Sequence, residues 1–464
     1  MKKVSLLFLL LFALQTVFSQ NAGTPGQDTA KSKKQKVKLI DELTYETHAG
    51  LPLAASKIYF SDKKFTISGF GEASHIYYDG AKNTGSGDME LYMTNLYRFV
   101  TYMAYKPTDR VVLYGELFGE LFQDGWSNID RNNFERELFV ELFADFLISK
   151  HFNVRVGTHQ VQIGYINNHD EPVMYYSVNR PEVERLIIPS QWIDLGVMTY
   201  GTISKSLDYS FSVYQGLESD SYYGGTWIRG GRADELRFNF DAPLLNGQLN
   251  FSGIKNTDIS LSGLWTPAGS YRNAILNGEE ITVSANTALF SSHIRHEYKN
   301  WTFMGLGTYG RMNNAHHIHA LTAQPMAAGD AIRDGQVLGS DVFGAYIEVG
   351  YDILPALRKK SAKDKVNDDD DGNFFYRKSE MKLPVFARYE RLNTHNSVHE
   401  ELRGETFSSN NLDVWTLGLN FNMRKNFVLK ANYQFRNNRS PILEGNFAGM
   451  FEGDRVEFGM GFIF

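Results

Sequence analysis

The chain has 464 residues, a formal net charge of −6, no cysteine, and an aromatic content of 14% with 33 Phe, 25 Tyr and 41 Gly. Without cysteine there are no disulfides, thiolate metal sites or cysteine nucleophiles, and the negative balance offers nothing to nucleic acid. A mean hydropathy of −0.33 beside so many aromatics suits an ordinary soluble enzyme poorly.

The chain opens with Met1-Lys2-Lys3 and a largely apolar run from Val4 to Leu14, then Val17-Phe18-Ser19 and Gln20. A short basic start, an apolar stretch too short to span a bilayer and a small residue at the cut predict a secretory signal over residues 1–19. No cysteine follows the cut, which excludes a lipid-anchored lipoprotein. Residues 20–64 read as a polar periplasmic extension, its first part, Gln20 to Lys38, rich in Lys, Gly, Thr and Gln. That extension is too short to be the folded plug that energy-coupled import requires. Beyond the signal no apolar run reaches the roughly 18 residues of a membrane helix.

From Phe65 the sequence breaks into short alternating runs. They include Phe65 to Glu72, Leu138/Val140/Leu142/Ala144/Phe146, Phe152/Val154/Val156, Tyr209/Phe211/Val213, Ile259/Leu261/Gly263/Trp265, Trp415/Leu417/Leu419/Phe421 and Phe427/Leu429/Ala431/Tyr433/Phe435. The period is two, so each run predicts a strand with one apolar face and one polar or small face. The connections alternate in length: 106–109, 149–151, 204–208, 255–258, 299–300 and 424–426 are short, whereas 79–92, 123–135, 160–193, 218–247, 267–286, 312–340, 392–411 and 437–454 are long. Eight long loops, each joining two strands, give sixteen strands. Short periplasmic turns and long external loops are the pattern of an all-β transmembrane antiparallel barrel, here over 65–464. In hydrocarbon every backbone N–H and C=O must be paired within the protein, and without apolar helices only a closed sheet does that. Sixteen strands are wide enough to enclose water. The connection 354–382, with Lys359-Lys360 and Asp368 to Asp371, is long yet falls on the short-turn side. A periplasmic insertion or an overlooked strand pair would each account for it.

The last strand carries the clearest alternation. Val456, Phe458, Met460, Phe462 and Phe464 form a lipid-facing row, and Glu457, Gly459, Gly461 and Ile463 a lumen-facing one. Ending on Phe464 makes this strand the expected signal for barrel-assembly machinery. The third long loop, 160–193, mixes aromatic, apolar and charged residues of both signs with prolines 172, 181 and 189. A loop this apolar must pack against something, and the expected place is the barrel interior, where it would narrow the pore. The alternative is an external loop that caps a neighbouring subunit.

The stretch Glu137 to Gly201 resembles the bacterial porin superfamily that includes the phosphate-selective porins O and P. The resemblance is carried by Glu141, Asn153-Val154-Arg155-Val156-Gly157, Asn168-His169-Asp170-Glu171-Pro172, Arg180-Pro181-Glu182-Val183-Glu184-Arg185, Ile187-Ile188-Pro189 and Trp192. Gly69-Phe70-Gly71-Glu72 and Trp227-Ile228-Arg229-Gly230-Gly231-Arg232 add to it. It implies a sixteen-stranded diffusion channel, usually a homotrimer, with an inward-folded third loop.

Phosphate selectivity does not carry over, because it needs a ladder of Arg and a cluster of Lys to replace the anion's hydration. Alternation points Glu116, Glu120, Glu137, Glu141, Asp145, Glu297, Glu348, Asp352, Glu390 and Glu457 inward, against Arg155, Arg295, Arg388, Lys430 and Arg436. The constriction candidates are His169, Asp170, Glu171, Arg180, Glu182, Glu184 and Arg185. An acidic wall of this kind predicts a weak preference for cations, with every strand's contribution dependent on its register.

Sharper chemistry finds little support. His316-His317-Ile318-His319 has metal-ligand residue types but reads as a solvated external loop. Asn367-Asp368-Asp369-Asp370-Asp371-Gly372 opens like a calcium loop, but Lys378 stands where the closing Glu is needed. Ser291, Ser292, His293 and His296 share a strand but alternate in face, and no G-x-S-x-G elbow accompanies them. The chain thus reads as a non-enzymatic outer-membrane channel for small hydrophilic solutes or ions. Its partners are membrane lipid and those solutes, with no cofactor or metal. A structural or adhesive barrel with a blocked pore shares every wall feature.

Overall fold

Alternating strands joined by short turns can satisfy all their backbone groups only by closing on themselves, and the structure does so. The computed structural model describes residues 43, 45–78, 93–124, 132–137, 141–232, 242–270, 272–324, 335–358, 377, 379–405, 409–440 and 453–464. The barrel strands are β1 Phe65–Tyr78, β2 Met93–Thr108, β3 Val111–Asp124, β4 in two runs (Asn132–Glu137 and Leu142–Phe146), β5 Asn153–Gln160, β6 Ile193–Ser204, β7 Leu207–Tyr214 and β8 Leu244–Phe251. They continue with β9 Thr257–Ala268, β10 Ala285–Tyr298, β11 Trp301–Met312, β12 Gly339–Asp352, β13 Pro384–Val398, β14 Asn411–Arg424, β15 Phe427–Asn438 and β16 Arg455–Ile463. Both runs of β4 pair with β3, so they are one interrupted strand. Each strand is antiparallel to the next, and β16 returns to β1 with Phe70 opposite Ile463 and Tyr78 opposite Arg455. Reciprocal bonds between Gly69 and Phe464, 2.9 and 3.0 Å, complete the seam at the chain terminus. The fold is a closed sixteen-stranded antiparallel barrel.

β12 and β13 pair directly down to Asp352 opposite Pro384. The connection 354–382 therefore joins two neighbouring strands at the short-turn end, and among the described residues no further strand pair stands between them. The run 367–372 lies outside the described residues.

The outer face is apolar and the inner face polar. Ile347 is 65% exposed while its neighbours Tyr346 and Glu348 are 4% and 8% exposed, one alternation of the pleat. Tyr105, Phe146, Phe152, Tyr298 and Trp301 ring the outside near the short turns, and Tyr77, Tyr97, Trp265, Tyr309 and Trp415 ring it near the long loops. Two belts of Tyr, Trp and Phe around an apolar band are what a bilayer selects. This is a barrel of the bacterial outer membrane.

The interior holds protein as well as polar wall. The last part of the N-terminal segment enters it: Leu51, Ala54, Ala55 and Ile58 pack on Val100, Tyr102, Tyr114 and Phe143. Ser68 Oγ donates to the Ala54 carbonyl at 2.6 Å. Tyr59 Oη donates to Asp145 at 2.7 Å. This contact explains why β2 is apolar on both faces. At the long-loop end, Trp227, Ile228 and Ile318 join Leu392, Leu412 and Val414 in one apolar cluster.

Candidate channel constriction

The segment 161–192 between β5 and β6 folds into the barrel and is tied first to itself. Glu184 accepts from the Tyr165 and Ile166 amides at 2.7 and 2.8 Å. Asn167 Nδ2 donates to the carbonyls of Ile163 and Pro189 at 3.2 and 3.0 Å. Gly164 has φ +74, and a Cβ there would lie 2.7 Å from the Glu184 carboxylate, so glycine is needed for both conformation and space.

The segment then bonds to opposite walls. Asn168 Nδ2 reaches Gln248 on β8 at 3.2 Å. Across the lumen, Lys430 Nζ donates to the carbonyls of Tyr175 and Ser177 at 2.8 and 2.9 Å. The Val178 amide reaches Asn432, Asn179 reaches Glu457 and the Val183 amide reaches Glu390, at 2.8, 3.0 and 3.1 Å. Tyr346 on β12 donates to Glu184 at 2.8 Å. The wall makes room with inward glycines: a Cβ on Gly461 would stand 2.3 Å from Pro172, and one on Gly344 would stand 2.7 Å from Val183.

One flank of the segment is basic. Glu182 Oε1 accepts from Arg185, Arg436 and Arg455 at 2.6, 3.0 and 3.0 Å. Burial opposes its ionisation, but the three guanidiniums outweigh burial and hold the carboxyl well below the usual carboxylate range. Nearby, Arg98 pairs with Glu72 and Glu120 at 2.8 and 3.0 Å. A cavity of about 30 Å³ on this flank is lined by Glu72, Arg98, Arg180, Arg185 and Arg229, among others.

The other flank is acidic but muted. Glu171 accepts from the Ala54 and Ala55 amides at 2.7 and 3.3 Å. Burial, then Asp170, pushes its carboxyl well up. Burial raises Asp170 to about 6 against the pull of Arg180 and Arg98. Burial also raises Glu184 and lowers His169 to about 4. His169 stacks on Tyr165 with ring centroids 4.0 Å apart. It lines a vestibule of about 570 Å³ at the short-turn end, with His48, Lys150, Tyr200, Asp258 and His293.

The wall residues expected to face inward lie as follows. Glu116, Glu120, Glu141, Asp145, Arg155, Glu348, Arg388, Glu390, Lys430 and Glu457 are buried on the lumen side. Arg155 pairs with Asp145 at 2.9 Å, and Arg388 with Glu348 and Glu390 at 3.0 and 2.8 Å. Arg295 and Glu297 pair at 2.5 Å in a more open position near the short turns. The Glu137 side chain lies outside the described residues. Of the seven constriction candidates, Arg180 and Arg185 line the narrow basic cavity, and Glu182 braces it. Glu171 and Glu184 hold backbone amides, which makes them struts of the segment. Sequence reasoning missed Arg98, Arg229 and Arg455. Alternation with Glu457 was a sufficient signal for Arg455, but Arg98 sits on the two-sided apolar strand, and Arg229 comes from another loop.

No family model matches the chain. A relative in Aquifex aeolicus (strain VF5), described only as an uncharacterized protein, is 25% identical over 406 residues, which is 86% of this chain and 82% of the relative. Among solved structures, Salmonella typhi OmpF in complex with daunomycin is 9% identical with a TM-score of 0.49, covering 86% of this chain and 97% of that one. The outer-membrane channel DcaP of Acinetobacter baumannii is 10% identical with a TM-score of 0.49, covering 86% and 97%. An anion-selective porin from Comamonas acidovorans is 11% identical with a TM-score of 0.46, covering 86% and 99%. Likenesses at this level leave function to the chain's own geometry.

Proposed function

We propose that the protein is a passive outer-membrane channel for small hydrophilic solutes or ions, with its narrowest point between the inward segment and the wall. The observation that supports this best is the bracing of the segment: it hangs from β5 and β6 yet bonds to β8, β12, β13, β15 and β16. A loop held on both sides of a polar lumen is a fixed constriction. Its basic flank, with Arg98, Arg180, Arg185 and Arg229 converging on one cavity, favours anions there. That preference opposes the weak cation selectivity expected from counting wall charges. Among the acids of the other flank Glu171 is held toward neutrality, while Asp170, raised to about 6, stays largely ionised at neutral pH and offsets part of the basic field. The signal over residues 1–19, the export it directs, and assembly into trimers in the membrane belong to this reading.

A second reading has its own support. The segment fits closely, with cavities of about 30 and 70 Å³ on its flanks, which favours a barrel that stays shut or serves as scaffold. Planar-bilayer recording separates the two. The channel reading expects steady conductance and a reversal potential of anion sign in a salt gradient, shifted toward cations by Arg180→Gln with Arg185→Gln. A folded barrel without current supports the scaffold reading and removes the first.

A further inference from the structure

Two external loops bring together side chains that are far apart in sequence. The geometry points to a site for a divalent transition-metal ion of the zinc type, formed by His316, His399 and Glu401, that ties the loop after β11 to the loop after β13. His316 lies in the first turn of the helix Ala315–Thr322. His399 precedes the short turn Glu400–Leu402. One ligand atom from each residue, two imidazole nitrogens and a carboxylate oxygen, lies within 4.8 Å of the others. His316 Nε2 is 3.8 Å from Glu401 Oε1. Metal bonds of about 2.0–2.2 Å to nitrogen and oxygen place such ligands roughly 3–3.5 Å apart, so small side-chain rotations close the shell.

Three further observations support an ion here. His316 is 7% exposed, and its other ring nitrogen, Nδ1, has no hydrogen-bond partner among the described residues, so no bond from Nδ1 holds the ring against a small rotation toward an ion. The rings of His316 and His399 stack at 3.9 Å, an arrangement suited to neutral imidazoles, the form that binds metal, and a turn of either ring out of the stack brings both in-plane lone pairs toward one ion. The contact from the Glu401 amide to His399 Nδ1 is long, 3.4 Å, and readily exchanged for an ion. Two imidazoles with one carboxylate select zinc, copper or nickel over calcium or magnesium, which prefer oxygen. His317 is not part of the trio: its ring packs edge-on to His316 at 4.4 Å and its Nδ1 accepts from the Ser284 amide at 3.2 Å. The sequence run of histidines thus contributes one ligand, and the other two come from a separate loop. An ion bound here would stiffen the external mouth whether or not the barrel conducts.

The test uses the full chain folded in detergent without a polyhistidine tag. Zinc chloride titrated by calorimetry should bind at one ion per chain. Cupric ion should give an electron paramagnetic resonance spectrum split by two imidazole nitrogens. His399→Asn and Glu401→Gln should each weaken zinc binding by about 10- to 100-fold or more, the loss known even for groups that only support a ligand, and His319→Gln should leave it unchanged. Absence of zinc binding, binding equal in the parent chain and both variants, or a copper spectrum without nitrogen splitting would overturn the assignment. The copper spectrum needs no variant, so a misfolded mutant does not shield the proposal.

Discussion

Glu182 and Glu171 belong to the same inward segment, and each is 1% exposed or less, yet their surroundings set their charges in opposite directions. Glu182 meets three guanidiniums and is held ionised. Glu171 meets two backbone amides and another carboxyl, and is held toward its neutral form. Burial is common to both, so the partner decides the charge. The segment therefore presents a charged, basic flank and an acidic flank on which Glu171 is held toward its neutral form, from a sequence in which acids outnumber bases.

The largest expected effect comes from removing the charge on the ionised side. Glu182→Gln leaves Arg185, Arg436 and Arg455 facing one another around a neutral amide, and should cost about 3–5 kcal/mol of barrel stability in urea unfolding from lipid vesicles. A loss under about 1 kcal/mol would mean that the three cations are not mutually buried.

The next effect is a pH dependence of opposite sign on the two flanks. The depressed carboxyl of Glu182 contributes stability that is present above the ordinary carboxylate range and is lost as pH falls through its folded value. Asp170, raised from 3.8 to about 6, behaves the other way. Its contribution is complete below its unfolded value and disappears as pH rises through about 6. Unfolding midpoints of the parent chain and Asp170→Asn should run parallel below pH about 4 and diverge between about 4 and 6, with the variant ahead by about 2–3 kcal/mol at the upper end. Parallel lines throughout would show that Asp170 is solvated.

The smallest effect is the most discriminating. Glu171→Gln keeps an acceptor for the Ala54 and Ala55 amides, and should change stability by less than about 1 kcal/mol. Glu171→Ala strands both amides and should cost about 1–3 kcal/mol. Equal losses in the two variants would mean that Glu171 works as a charge, and the contrast with Glu182 would fail.

Much of the wall was legible before the fold was known, because a pleated strand alternates sides with a period of two and a lipid face tolerates little polarity. Glu348, Arg388, Glu390 and Lys430 stand on the inner face for that reason. Alternation failed where a second layer of protein covers the wall. Val100 and Tyr102 are apolar inside because Ala54, Ala55 and Ile58 lie on them, and Arg98 was hidden between two apolar faces. A subtler signal went unused. Glycine at inward positions such as 344 and 461 marks where the segment comes close to the wall.

By itself, the sequence determined the barrel, its strand number and its two-sided wall, since these follow from local periodicity and connection length; the composition of the third long loop led only to the expectation that it packs inside, with an external cap as the alternative. Which charges survive inside, and which histidines meet outside, was decided only by tertiary structure. Ionisation and ligation depend on partners brought within a few ångströms by separate loops, as Arg436 and Arg455 are to Glu182 and His399 is to His316, and no spacing along one strand encodes such encounters.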